Sequence, residues 1–154
     1  MTICIIPSRK GSKRLKNKNI VNFFGKPIIY YPINESKKSN IFSNIYVSTD
    51  SKKIKKISEK YGAKTLGLRS KKYSDDYTNI KEVLMDYILR NNLNYEKYFC
   101  CIYPTSVLIT AKMIKKAYVK FKKENSDMLI TLCEFSSNPD RAFYIKDSKY
   151  ASFL

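Results

Sequence analysis

The sequence predicts an α/β fold, a mostly parallel sheet with helices on both faces, built as a single domain over residues 1–154. Three observations predict it. Short apolar runs alternate with segments of helical periodicity, the pattern of strands joined by crossover helices. The first apolar run breaks at a proline into a loop of glycine, serine and cations, where such sheets build their sites. The chain has 154 residues, 44% of them apolar, enough for one domain with a real core.

The elements follow in order. Strand one is Thr2–Ile6. Pro27 then opens a helix to about Ser39, proline being suited to a first turn. Strand two is Ile45–Thr49, after which Asp50 or Ser51 caps a helix whose Ile54, Ile57 and Tyr61 face inward. Tyr61-Gly62 ends that helix, and Ala63–Leu68 forms a third, shorter strand. Thr78 caps the next helix, where Ile80, Val83, Leu84, Tyr87 and Ile88 recur at helical spacing.

Tyr98–Tyr103 is a near-continuous apolar run, as expected of a central buried strand. Thr110 or Ala111 starts a helix with Met113, Ile114, Ala117, Tyr118 and Phe121 on one face, and Met128–Cys133 is the next strand. Ser136–Pro139 reads as loop and Arg141–Ile145 as an edge strand. No internal repeat or linker interrupts this order.

Lys and Arg number 30 against 13 Asp and Glu, a formal charge of +17 with no histidine. Nucleic acid is the first partner such a charge suggests. Yet only Arg9, Arg14, Arg69, Arg90 and Arg141 are arginines, and specific phosphate and base readers favour arginine. The lysines occur throughout the chain, so compositional drift explains the excess better, and nucleic acid is not the expected partner. Cys4, Cys100, Cys101 and Cys133 all fall in predicted strands with no metal-ligand spacing, which assigns them to packing. The apolar start is too short for a signal peptide, and no run approaches the roughly 18 apolar residues of a membrane span. The reading is a cytoplasmic protein with no membrane partner.

The chemistry concentrates in the first loop, Ser8-Arg9-Lys10-Gly11-Ser12-Lys13-Arg14, followed by Lys16 and Lys18-Asn19. Glycine lets backbone N–H groups approach an anion, and Arg and Lys supply charge that matches phosphate. The spacing is neither that of the P-loop nor the Gly-x-Gly-x-x-Gly of dinucleotide folds. A nucleotide phosphate is the expected guest. Ser48-Thr49-Asp50, Arg69 and Tyr103–Ser106 follow later strands and should converge on the same pocket, although capping is the favoured role for Asp50.

These residues resemble the nucleotidyltransferases that activate nine-carbon acidic sugars with CTP. The family includes the CMP-sialic acid synthetases and, more closely, the pseudaminic acid cytidylyltransferases. The matching segments are Ile6–Arg14 with Lys18-Asn19, Gly25-Lys26-Pro27, Val47–Asp50, Leu68-Arg69, Asp75-Asp76 near Thr78, and Cys100–Tyr103 with Thr105. The resemblance implies a Rossmann-like nucleotidyltransferase fold and transfer of CMP from CTP to a pseudaminic or sialic type of acid, with pyrophosphate released. Magnesium would accompany CTP.

By the same resemblance, Ser8, Arg9 and Asn19 line the nucleotide site. Gly11, Ser12, Lys13 and Lys18 hold the triphosphate, and Asp76 and Thr78 frame the nucleotide. Tyr103 and Thr105 stand between nucleotide and sugar. Arg9, Lys13 and Lys18 form the catalytic set, since this chemistry rests on positioning and charge neutralisation and needs no covalent nucleophile.

Three departures qualify the match. Lys10 stands where the family has glycine, Val107 stands where proline is common, and family members are longer than this chain. The portion beyond Leu154 in the family carries the metal-binding aspartates, much of the sugar site and the contacts of the family's homodimer. No metal ligand set is therefore expected in this chain. Asp75-Asp76 does not replace it, because adjacent residues on an extended segment point apart. The resemblance implies a C-terminally incomplete domain that keeps part of the CTP pocket without independent catalysis. A basic nucleic-acid-binding module, or a cytidylyltransferase for Kdo or a polyol phosphate, are the alternatives. Tyr103-Pro104-Thr105, where the Kdo enzymes carry a metal-binding aspartate, favours the nine-carbon acids.

Overall fold

The computed structural model describes residues 2–12, 15–93 and 96–134, and the backbone of 143–146 and 150–153. Strand β1 is Thr2–Pro7, β2 Asn22–Phe23 and β3 Lys26–Pro27; helix α1 is Tyr30–Ser39. Then come β4 Ile45–Ser48, α2 Lys52–Lys60, α3 Ile80–Arg90, β5 Tyr98–Cys101, α4 Ala111–Lys123, β6 Phe143–Lys146 and β7 Tyr150–Phe153. The main sheet is parallel with β1 in the middle, flanked by β4 and β5. The predicted α/β class is what forms.

Alternation along β1 splits the core into two layers, because successive side chains leave a strand on opposite faces. Cys4 and Ile6 pack with Ile29 and Ile33 of the α1 region, Ile54 of α2 and Ile114 of α4. Ile3 and Ile5 pack with Tyr46 and with Leu84 and Tyr87 of α3. One face of the sheet thus carries α1, α2 and α4, and the other carries α3. Tyr87 is fully buried, and that burial pushes its hydroxyl pKa up to about 12.

Local chemistry explains most element ends. Ser51 Oγ accepts from Ile54 N, Asn79 Oδ1 from Glu82 N and Thr110 Oγ1 from Met113 N, so α2, α3 and α4 each start on a capping side chain. The cap of α3 is therefore Asn79, not Thr78. Thr78 is drawn aside by Asp75, whose Oδ1 accepts from its backbone N and its hydroxyl. Helix α1 begins at Tyr30, three residues later than expected, because Pro27 sits in a short antiparallel pair with Asn22.

The predicted third strand shrinks to one bridge, Tyr46 with Lys64. Lys64 exchanges hydrogen bonds with β4, then the chain turns at Gly67, whose φ of +75° breaks the ladder before Arg69 N rejoins it at Thr49 O. Tyr98–Cys101 is an edge of the three-stranded sheet, not its centre, and Phe99 is 48% exposed. The strand expected at Met128–Cys133 pairs with nothing among the described residues, and Met128, Ile130 and Leu132 are exposed. Cys133 is likewise exposed, outside any strand, so packing does not account for it. The strand expected at Arg141–Ile145 appears as β6, paired antiparallel with β7; positions 141 and 142 lie outside the described residues.

Candidate functional site

The site is built where β1 leaves the sheet. Pro7 closes the strand, and Ser8 N donates to Ser48 O at 2.8 Å, which holds the carboxyl ends of β1 and β4 level. Ser8 and Ser48 are fully buried, yet neither hydroxyl has a hydrogen-bond partner among the described residues. Buried hydroxyls are rarely left so, because each forfeits the bond it made to water.

Beyond Ser8 the loop is pinned from three sides. Asn19, itself buried, donates from Nδ2 to Arg9 O at 2.9 Å. Lys10 N donates to Asp50 Oδ1 at 2.6 Å, so Asp50 ties down the loop and leaves helix capping to Ser51. The Arg9 guanidinium donates from Nη1 to Asp75 O at 2.8 Å and pairs with the Asp76 carboxylate. Arg9 therefore bridges the first loop to the segment ahead of α3.

Between these walls lies a cleft of about 410 Å³ lined by Lys10, Gly11, Ser12, Lys16, Asn17, Asp50 and Ser74. A Cβ on Gly11 would meet nothing within 4 Å. Packing within the chain thus makes no demand for glycine there, and the open space lies over the cationic loop.

Arg69 is buried between the carboxyl end of β4 and the segment ahead of α3. It is 6% exposed, and its Nη2 donates to Ser48 O at 3.0 Å and its Nη1 to Tyr73 O at 3.3 Å. Its Nε finds no partner among the described residues. Burial pulls its pKa down from the usual arginine value; Asp50 opposes that, and Arg9 adds to it. Asp75 runs the other way. Hydrogen bonds from the Thr78 hydroxyl and backbone hold its carboxyl below the ordinary range.

Of the predicted residues, Gly11 and Ser12 line the cleft, while Arg9 is tied to Asn19 and Asp76 beside it, Thr78 bonds to Asp75, and Ser8 is buried where the loop begins. Lys18 is exposed in a 3-10 turn, Lys18–Ile20, and Lys13 lies outside the described residues. Tyr103 and Thr105 follow β5, and their hydrogen bonds there are local, Ser106 N to Tyr103 O and Val107 N to Thr105 O. Sequence reasoning expected Asp50 and Arg69 to converge on this pocket, but it favoured capping for Asp50 and gave Arg69 no role. The available signal was position: each stands just past a chain segment that runs along the sheet.

These carboxylates do not fit a magnesium site of their own. Asp50 is bound to Lys10, Asp75 to Tyr77 and Thr78, and Asp76 to Arg9. Among the described residues no three His, Cys, Asp or Glu side chains come together to hold a metal.

A parallel sheet with a pinned, cationic, glycine-bearing loop at its carboxyl edge defines an open α/β protein with its cleft where such sheets place their ligand sites. The sequence pattern of the cytidylyltransferase family matches residues 3–150, and the chain belongs to that family. It is 38% identical over 148 residues to a pseudaminic acid cytidylyltransferase of Campylobacter jejuni, covering 95% of this chain and 64% of that protein. It is 31% identical over 151 residues to an N-acylneuraminate cytidylyltransferase of Streptococcus agalactiae, covering 97% of this chain and 36% of the relative. The chain thus spans less than two thirds of the length of these relatives.

Two solved structures share the fold. A CMP:2-keto-3-deoxy-manno-octonic acid synthetase complexed with CTP superposes with a TM-score of 0.68 at 17% identity, over 81% of this chain and 48% of that one. A 4-diphosphocytidyl-2C-methyl-D-erythritol synthase from Anaerococcus prevotii does so at 0.60 and 15% identity, over 99% and 63%.

Proposed function

We propose that this chain is one nucleotidyltransferase domain that binds CTP and serves the transfer of CMP to a nonulosonic acid, with release of pyrophosphate. The observation that carries the reading is the open cleft at Gly11, lined by Lys10 and Lys16 on a loop that Asn19 and Asp50 pin. The kinship with pseudaminic and N-acylneuraminate cytidylyltransferases supports the nine-carbon acid as acceptor, the pseudaminic type first.

The triphosphate sits along the loop from Ser8 to Lys18, with Gly11 admitting it to the backbone N–H groups and Ser12, Lys13 and Lys18 meeting its charge. Asn19 holds the loop through Arg9 O, while Asp76 and Thr78 form the facing wall. Arg9, Lys13 and Lys18 neutralise charge as the acceptor hydroxyl attacks the α-phosphorus and pyrophosphate leaves. Tyr103 and Thr105 flank the acceptor. Magnesium travels with the triphosphate in this reading, and no carboxylate set of the described residues is assigned to it.

Isothermal titration with CTP and with ATP, each with and without magnesium, tests the proposal. Saturable CTP binding, at least about tenfold tighter than ATP and lost in Arg9→Ala, is the expected result. Equal and salt-sensitive binding of both nucleotides would reduce the loop to a cationic surface and overturn the reading.

A further inference from the structure

The +17 charge is not spread evenly over the fold. Helices α1, α2 and α4 share one face of the sheet, since Ile33, Ile54 and Ile114 meet in one core layer. They also form one continuous sheath. Helix α1 packs against α4, Tyr30 at the start of α1 stacks edge-on against Tyr61 at the end of α2, and Lys37 Nζ reaches Tyr61 O. These three helices carry thirteen lysines and two glutamates and no arginine. Helix α3, on the opposite face, balances Lys81 and Arg90 against Glu82 and Asp86. Thirteen of the chain's 25 lysines are thereby placed on one face of the sheet.

Helix α4 shows the arrangement most clearly. Lys112, Lys115, Lys116, Lys120 and Lys123 recur at three- and four-residue spacing, which aligns them on one stripe, and all are exposed. Met113 and Val119 stand among them, 56% and 62% exposed. No acid lies within α4, whereas Lys38 and Lys55 are partly answered by Glu35 and Glu59 on their own helices. Like charges at this spacing destabilise a helix by themselves. No residue of the stripe lines the cleft at Gly11.

We propose that this lysine face docks the protein onto an anionic lipid surface. Charge complementarity selects a polyanion. The choice of a lipid surface rests on residue type and shape. Lysine is a point charge that needs no fixed partner geometry, as suits mobile headgroups, whereas nucleic-acid reading favours arginine forks and aromatic platforms. Met113 and Val119 supply apolar contact of the kind a basic amphipathic helix makes at the headgroup boundary. This is peripheral attachment and requires no spanning segment; none of the helices among the described residues is long and apolar enough to cross a membrane.

Flotation with vesicles of phosphatidylglycerol in phosphatidylcholine, and of phosphatidylcholine alone, tests the assignment. The protein should float with the anionic vesicles at about 0.1 M salt and be released at about 0.5 M, where charge is screened within a few ångströms. The triple variant Lys112→Glu, Lys116→Glu, Lys120→Glu should bind at least about tenfold more weakly, with CTP titration unchanged. A Lys→Gln set at the same positions, with a thermal melt, separates lost charge from lost fold. Three results would overturn the proposal: no flotation at low salt, which leaves a merely solvated face; equal flotation of the triple variant; or displacement by a DNA duplex at equal phosphate concentration, which assigns the face to nucleic acid.

Discussion

The carboxyl ends of β1 and β4 differ from that of β5 in how they are held. At the first pair the ties span long stretches of chain. Ser8 N reaches Ser48 O, Arg69 reaches Ser48 and Tyr73, Asn19 reaches Arg9, and Arg9 reaches Asp75. Past β5, Ile102 N still reaches Ile5 O, but among the described residues the backbone bonds of the turn at Tyr103–Val107 join near neighbours, and Tyr103 is 53% exposed. A cleft stands over the first region and β5 faces outward on its free side. Preorganisation of a site thus follows from crossing ties between elements far apart in the chain.

The comparison can be broken by core truncation, where the largest effect is expected. Ile5 is fully buried between the two flanking strands, so Ile5→Ala should cost about 2–5 kcal/mol of unfolding free energy. Phe99, 48% exposed on β5, should cost on the order of 1 kcal/mol as Phe99→Ala, despite its larger side chain. Denaturant melts of the two variants give the ratio directly. Equal losses would mean that β5 is as firmly buried as β1.

What the sequence made legible follows the same division. The first strand, its loop and the capped helices could be read because each is set by local chemistry: a proline, a glycine, a side chain three residues before a backbone N–H. The rank of a strand within the sheet is not local. Tyr98–Cys101 is as apolar as a central strand and lies at the edge, because centrality belongs to the neighbour and not to the run itself. Asp50 shows the same limit at one residue. Its sequence position suits a cap, but the Lys10 N–H forty positions away takes its carboxylate. The gathering of lysines on one face was equally hidden, since it depends on which side of the sheet each helix takes.

Arg69 sharpens the comparison next. It is the buried link between β4 and the wall ahead of α3, and Arg69→Met removes both of its hydrogen bonds. Expected are a loss of about 2 kcal/mol in stability and a several-fold weaker CTP affinity as that wall shifts. Arg69→Lys should recover little, because an ammonium cannot reach two carbonyls with the guanidinium's fork. A lysine variant with wild-type affinity would show that only charge matters at this position.

The smallest effect is the most discriminating. Ser8 is buried with an unpartnered hydroxyl, at the point where the strand delivers the loop to the cleft. If that hydroxyl exists only for packing, Ser8→Ala lowers stability slightly or leaves it unchanged, and CTP affinity is untouched. If it waits for a ligand, removing it relieves an unsatisfied group in the free protein and deletes a bond in the complex. Stability should then rise by up to about 1 kcal/mol while CTP affinity falls several-fold. The two quantities move in opposite directions only in the second case, so paired melts and titrations on one variant decide it. Changes of the same sign would place Ser8 with the core.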